Sequence, residues 1–189
     1  MKNVWVLIGS SAAVYITLAF GMAIIPGFAL SATKPTPGLQ PLTALQAHGR
    51  DIYVGEGCSY CHTQYVRPLA QDKVWGRPST AGDYAYSTPE LFGTERNGPD
   101  LTNVGMRQPS DVWNLIHLYE PRALTAGSIM PSYRYLFDEK THAAPGDVVV
   151  PVPAGFAPAG RVVVATADVK ALVAYIESLK QPTLAAAKP

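Results

Sequence analysis

The chain has 189 residues, of which 48% are hydrophobic and only 15% are charged. A typical soluble domain carries about 25% charged residues, so the shortfall indicates a membrane segment, a buried cofactor, or both. The 15 Lys and Arg residues balance 14 Asp and Glu residues. This balance excludes a nucleic-acid binder, which needs a dense basic surface. The sequence has only 2 Cys, which excludes a scaffold held together by several disulfides.

Residues 1–33 are predicted to form a single transmembrane anchor. No residue from Asn3 to Thr33 is charged. As a helix, Val4 to Ile25 would rise about 1.5 Å per residue and cross a hydrocarbon core of about 30 Å. Pro26 and Gly27 are expected to end this helix. A cleaved signal peptide is the alternative, but its apolar run is usually only about 7–15 residues long.

After the anchor, residues 34–40 begin with Lys-Pro-Thr-Pro-Gly and are interpreted as a short stiff linker. Residues 41–182 then form the water-facing domain, and residues 183–189 form a tail. Valine-rich runs within residues 140–165 predict a small β-hairpin insertion.

Apolar periodicity and capping residues predict helices elsewhere in the domain, so its fold class is mainly α. The predicted helices are Leu42 to Glu56, Ser110 to Tyr119 and Thr166 to Lys180.

The run Cys58-Ser59-Tyr60-Cys61-His62 is the C-x-x-C-H pattern of covalent haem c attachment. Each thiol can add to one vinyl group of the haem, and the two-residue gap in a helical turn matches the spacing of the vinyl groups. His62 then ligates the iron from one side. Covalent attachment of this kind takes place outside a bacterial inner membrane, so the C-terminal domain is predicted to be periplasmic on a single-pass chain.

Other chemistry is less compatible with the two cysteines. A structural zinc site needs four ligands, and the sequence has no second cysteine pair. A thioredoxin-like redox pair would lie in a βαβ context, which the sequence does not predict.

The second axial ligand of the iron is expected to be a methionine. Met130 precedes Pro131 in a loop without a helical pattern, and the proline stiffens the turn that presents the sulfur. Met106 is the alternative ligand, and a packing role is the ordinary alternative for either residue. Ligation by His62 and Met130 would raise the reduction potential above that of a bis-histidine site.

Other residues are expected to contact the ligands or the haem. Pro99 lies in Gly98-Pro99-Asp100-Leu101, and its carbonyl could accept the Nδ1–H of His62 and orient the ring. The haem propionates need cationic donors. Arg67, Arg96 and Arg122 are the candidates, although each is individually as compatible with a solvated surface position.

Beyond these motifs, the chain resembles the mono-haem cytochrome c subunit of cbb3-type cytochrome c oxidases. The resemblance runs from Gly49 to Met130, through the haem motif, Thr63-Gln64-Tyr65-Val66-Arg67-Pro68, Arg96-Asn97-Gly98-Pro99-Asp100-Leu101 and His117-Leu118-Tyr119. It implies a class I-like cytochrome c domain behind the transmembrane helix. Residues 140–165 do not match the family pattern.

The resemblance also implies a non-catalytic relay. Such a subunit takes electrons from a di-haem cytochrome c subunit, or another periplasmic cytochrome, and passes them to the catalytic haem-copper subunit. Two alternatives share the layout: the haem c subunit of a nitric oxide reductase and a free-standing anchored periplasmic electron carrier. A haem gas sensor is disfavoured because Met130 would fill the sixth position of the iron.

Overall fold

The computed structural model describes residues 3–183, and it begins with a long apolar helix, α1, at Val4–Ser31. This helix has 28 residues, and an 18-residue stretch of it has a mean hydropathy of 2.0. None of its residues is buried against the rest of the protein. Its length and composition are sufficient to cross a bilayer and fit a membrane anchor.

The expectation that Pro26 and Gly27 end the anchor helix is wrong. The helix continues through both residues because a π-helical turn at Phe20–Ile24 precedes the α-helical segment Ile25–Ser31. Proline has no N–H and crowds the carbonyl one turn before it. A widened turn immediately before Pro26 accommodates both defects without ending the helix.

The segment after the anchor lies against the domain. Thr36 is buried, and its backbone N–H donates to the Gly82 carbonyl oxygen at 3.0 Å. The Thr36 hydroxyl donates to Asp83 Oδ1 at 2.8 Å. Residues 34–40 therefore include a fixed attachment point, whereas composition alone indicated only a stiff spacer. The predicted tail, residues 183–189, lies outside the described residues except for Thr183.

The domain contains three longer helices near the predicted positions and one short helix. Each longer helix begins after a polar N-cap whose side chain accepts a backbone N–H, as expected for these residue types. The N-caps are Thr43, Ser110 and Thr166. The helices are α2 at Ala44–Gly55, the short α3 at Val104–Arg107, α4 at Asp111–Tyr119 and α5 at Ala167–Ser178.

Helices α2 and α5 cross closely and form the centre of the core. At Gly49, an added Cβ would lie 1.9 Å from the Ala171 carbonyl oxygen, so only glycine permits this approach. Tyr53 and Tyr175 meet edge to face beside the crossing, with ring centroids 5.3 Å apart. The fully buried Leu172 packs at the same helix crossing. This crossing fixes the end of α2, from which the cysteine motif emerges.

A three-stranded antiparallel sheet packs against α4. It consists of β1 at Phe137–Lys140, β2 at Val149–Val150 and β3 at Val162–Ala165, with β3 in the centre. Strands β2 and β3 form the predicted hairpin, whereas the Phe-Asp-Glu-Lys sequence of β1 carried no strand signature. The mainly α fold class, with one apolar N-terminal helix and a small β insertion, is confirmed.

Candidate functional site

The cysteine motif forms a tight turn directly after α2. Gly57 adopts φ 69°, a left-handed conformation that ends the helix. Cys58–Tyr60 then forms one 3-10 turn. The backbone N–H groups of Cys61 and His62 both donate to the Cys58 carbonyl oxygen, at 3.2 and 3.0 Å. This turn places both thiols and the imidazole on the lining of one cavity.

The cavity has two adjoining lobes. The larger lobe, about 570 Å³, is lined by both cysteines. The smaller lobe, about 230 Å³, is lined by Leu101, Val104 and Ile176 among others and includes neither cysteine. Largely apolar cavities of roughly 300–1,000 Å³ with a few polar groups are typical of cofactor sites. Five residues line both lobes: His62, Pro99, Trp113, His117 and Met130.

His62 is held tightly from one side of the cavity. Its Nδ1 lies 2.8 Å from the Pro99 carbonyl oxygen, the contact expected from the sequence. A Cβ added to Gly98 would lie 2.2 Å from His62 Cε1, so the backbone lies directly against the ring. Burial lowers the pKa of His62. A neutral imidazole whose Nδ1–H is bound to Pro99 leaves the Nε2 lone pair available for a metal.

Backbone pairing and a buried carboxylate support this wall of the cavity. The Gly98 N–H donates to the Cys61 carbonyl oxygen at 2.9 Å, and the Leu101 N–H donates to the Thr63 carbonyl oxygen at 2.8 Å. Asp100, which is fully buried, accepts the Thr63 hydroxyl at 2.6 Å. Backbone hydrogen bonds before and after His62 therefore hold its segment against the segment that contains Pro99.

Arg67 and Arg96 converge on a carboxylate of the chain and do not line either lobe. Asp72 is fully buried and accepts two bonds from Arg67, both at 2.9 Å. It also accepts two bonds from Arg96, both at 2.8 Å. These hydrogen bonds, from Arg96 first and then Arg67, hold the pKa of Asp72 well below its usual range. Both arginines therefore serve as partners of a buried charge.

Arg122 braces the loop that carries Met130. Its guanidinium lies 2.8 Å from Glu120 Oε1 and donates to the Met130 carbonyl oxygen at 3.1 Å. It also donates to the Ser132 hydroxyl at 2.7 Å. Arg122 does not line either lobe. All three arginines proposed from sequence for the propionates thus have protein partners in the structure.

Among the described residues, Arg107 is the arginine that lines the cavity. It lies at the smaller lobe, with its guanidinium carbon 4.9 Å from the centre of the Trp75 ring, and it donates to the Asp100 carbonyl oxygen. Burial lowers the pKa of Arg107. The sequence contained no signal separating Arg107 from the other arginines, because its distinction is its position relative to the cavity.

Met130, Trp113 and His117 line both lobes of the cavity together with His62 and Pro99. Met130 lies in a loop without regular structure after Pro121–Ala123, a 3-10 turn. The rings of Trp113 and His117 stack on α4, with centroids 4.5 Å apart and an interplanar angle of 13°. Met106, the alternative ligand, is 61% exposed and lines neither lobe.

The residues present fit a covalently bound haem. A haem needs a long apolar slot with two thiols at one end, an imidazole at its centre and a cation at the other end, and the cavity has these features in that order. Burial raises the pKa of the Cys58 thiol to about 11. The Cys58 thiol is therefore protonated at neutral pH. Among the described residues no cluster of three or more His, Cys, Asp or Glu side chains forms a metal site.

Comparison with known families agrees with this geometry. The family model of the mono-haem subunit of cytochrome c oxidase, FixO, matches residues 2–149.

The chain belongs to this family.

The match includes the anchor helix, the cysteine turn, Pro99 and Met130, and it ends within the sheet. The expectation that residues 140–165 fall outside the family pattern is therefore wrong for residues 140–149, which lie within the match. The protein is thus a mono-haem cytochrome c subunit of a cbb3-type oxidase, with an apolar helix that fits a membrane anchor. Family membership implies a haem and association with other oxidase subunits. Among curated proteins, none matches the chain significantly.

Proposed function

We propose that this subunit relays single electrons through one covalently attached haem c to the catalytic haem-copper subunit of the oxidase. The observation that carries this proposal is the cavity that both cysteines, His62 and Met130 line. When bound, the haem would supply one-electron redox chemistry, and His62 and Met130 are the residues that would ligate its iron. With both ligands in place, the site would transfer electrons without binding oxygen or nitric oxide.

The chain's own residues hold the carrier in place. Cys58 and Cys61 would each hold the haem through one thioether, formed by addition of the thiol S–H across a vinyl group. The Pro99 carbonyl orients His62 through Nδ1 and leaves Nε2 as the nitrogen that would ligate the iron. Arg107 takes the propionate role, because vinyl groups and propionates lie at opposite edges of a porphyrin and Arg107 lies at the lobe without cysteines.

The same proposal places the domain on the periplasmic side of the bacterial inner membrane. Covalent haem attachment of this kind takes place there, and α1 leads directly into the domain. A di-haem cytochrome c subunit, or another periplasmic cytochrome, then supplies the electrons. The family match supports an oxidase over the haem c subunit of a nitric oxide reductase or an unattached carrier.

Extraction and gas binding test the proposal on the full chain. After acid-acetone extraction and denaturation, the chain should retain its haem and show a c-type pyridine spectrum. Variants Cys58→Ala and Cys61→Ala should each lose this double attachment. Carbon monoxide should not change the spectrum of the reduced, undamaged protein. Complete extraction of the haem would refute covalent attachment, and rapid carbon monoxide binding would refute a filled iron site.

Fractionation and assembly test the remaining parts. The mature chain should remain in the inner-membrane fraction with residues 1–32 present by mass spectrometry. In membranes, periplasmic protease should digest the domain. The intact complex should consume oxygen, and loss of this subunit should stop electron delivery without removing the catalytic haems. A mature terminus near Ala32 would instead support a released carrier.

A further inference from the structure

His117 is a polar residue of the cavity that the proposed attachment and ligation do not use. Its Nδ1 is buried without a hydrogen-bond partner among the described residues. The ring is held on one face by Trp113, and it lines both lobes of the cavity. An unpaired nitrogen on a fixed, buried ring is uncommon and calls for an explanation.

The proton of His117 belongs on the edge that faces the cavity. A neutral imidazole carries a single N–H, on one of its two ring nitrogens. Nδ1 is shielded and has no acceptor among the residues that the structure describes. Nε2 is the other ring nitrogen, and because His117 lines both lobes, a group bound in the cavity can provide its acceptor. The tautomer with Nε2–H therefore follows from the available partners.

The position of His117 along the cavity selects that acceptor. Both cysteines line only the larger lobe, and Arg107 lines only the smaller one. His117 lines both, as His62 and Met130 do, and therefore lies between the lobe of the cysteines and the lobe of Arg107. Of the other residues that line both lobes, His62 and Pro99 already pair with each other, and the Trp113 indole is only a donor. The Met130 sulfur is therefore the acceptor left for His117.

We infer that His117 donates a hydrogen bond from Nε2 to the thioether sulfur of Met130 when that sulfur ligates the iron. This rests on the proposed function and deepens it, making His117 a positioning residue. A thioether sulfur is a weak acceptor. The bond withdraws electron density from the sulfur, which disfavours ferric iron and raises the reduction potential. It also holds the methionine in place against competing ligands.

The test uses the full chain with its haem, purified in detergent, and three variants. His117→Phe removes the donor while preserving an aromatic ring for Trp113. His117→Gln restores a side-chain N–H. His142→Phe is the matched control, because His142 is an exposed histidine in the insertion. The measurements are the sulfur-to-iron absorption band of the oxidised protein, the reduction potential, and the imidazole concentration that displaces the methionine.

His117→Phe should keep the haem and the sulfur band. It should lower the potential by the equivalent of about a threefold change in the one-electron equilibrium constant, or roughly 30 mV. Imidazole should displace the methionine at about tenfold lower concentration. His117→Gln should recover part of both effects, and His142→Phe should match the unmodified chain.

Three results would overturn the inference. If His117→Phe matches the unmodified chain in potential and imidazole binding, the bond does not exist. Where the phenylalanine variant does not fold, His117→Leu, which also lacks a donor, replaces it in this comparison. A changed potential with unchanged imidazole binding would place the donor on another part of the haem. A sulfur band that appears only after removal of His117 would make His117 itself the ligand. None of these results removes the covalent haem or the relay, which the extraction and carbon monoxide tests address separately.

Discussion

The two walls of the haem cavity are built in different ways. The His62 wall consists of paired backbone segments, a glycine pressed against the ring, and buried carboxylates bound by arginines. The Met130 wall is a loop with no regular structure, braced mainly by Arg122, and its Ile129 is 77% exposed. The comparison indicates that the position of His62 is determined by the folded core, whereas that of Met130 depends on a few local bonds.

The largest effect should come from breaking the buried charge cluster near the His62 wall. Asp72→Asn replaces the shared carboxylate of Arg67 and Arg96 by a neutral group. Breaking a fully buried ion pair costs about 3–5 kcal/mol, and the loss here should lie near or below the lower end of that range, because Arg67 is partly exposed and Arg96 also pairs with Asp100. Chemical denaturation should show this loss in the free energy of unfolding. Asp168→Asn, which alters an exposed pair with His48, should cost less than about 1 kcal/mol. Equal losses would contradict the difference between buried and exposed pairs.

The Asp72 effect should depend on pH in a defined direction. Because the arginines depress the folded-state pKa of Asp72, its stabilisation is complete above the unfolded pKa of about 3.9. It is lost as the pH falls toward the lower folded pKa. The stability difference between the unmodified chain and Asp72→Asn should therefore be constant near neutrality and shrink below about pH 4. A difference that grows with acid would show the opposite linkage.

A matched pair of glycines separates the two walls directly. Gly98→Ala places a methyl group 2.2 Å from His62 Cε1, and overpacking of this kind costs about 1–3 kcal/mol. The ring should tilt, and the yield of haem-bearing protein should fall severalfold by pyridine spectrum. Gly127→Ala, in the Met130 loop, meets no atom within 4 Å and should leave the yield unchanged. If both variants give the same yield of haem-bearing protein, the His62 wall is not packed more tightly than the Met130 loop.

A ligand exchange on the Met130 wall should change the potential and leave the fold intact. Met130→His converts the proposed ligation to two histidines, which lowers the potential. A fall of more than about 59 mV, a tenfold change for one electron, is expected, together with loss of the sulfur-to-iron band. Met106→Leu is the control, since Met106 lies outside the cavity. Loss of the band in the Met106 variant alone would reverse the ligand assignment.

The smallest effect should come from removing the brace of the loop. Arg122→Gln loses contacts to Met130, Ser132 and Glu120, while Glu120 keeps its pairing with Arg134. Stability should fall by only about 0.5–1 kcal/mol, because the side chain is partly exposed. Amide hydrogen exchange should accelerate in residues 127–131. Arg161→Gln, an exposed control in the insertion, should not accelerate it; uniform acceleration would argue against a local brace.

Features that depend on neighbouring residues were predictable from the sequence. The apolar anchor, the capped starts of α2, α4 and α5, and the cysteine turn all arise from interactions within a few positions. The predicted contact between His62 and Pro99 is present as well, because the motif chemistry requires an acceptor at Nδ1. One local prediction was wrong: Pro26 does not end α1, since a π-helical turn absorbs the missing N–H.

Apart from the pair of His62 and Pro99, the tertiary structure alone decided which charged and polar groups meet. Arg96 and Asp72 are 24 positions apart in the chain, and no periodicity relates them. Arg107, rather than Arg67, Arg96 or Arg122, lines the cavity, and Thr36 joins the linker to the domain. The sequence determines how many arginines there are and which local turns form. The partner of each arginine depends on which carboxylate or cavity the folded backbone brings within about 3 Å.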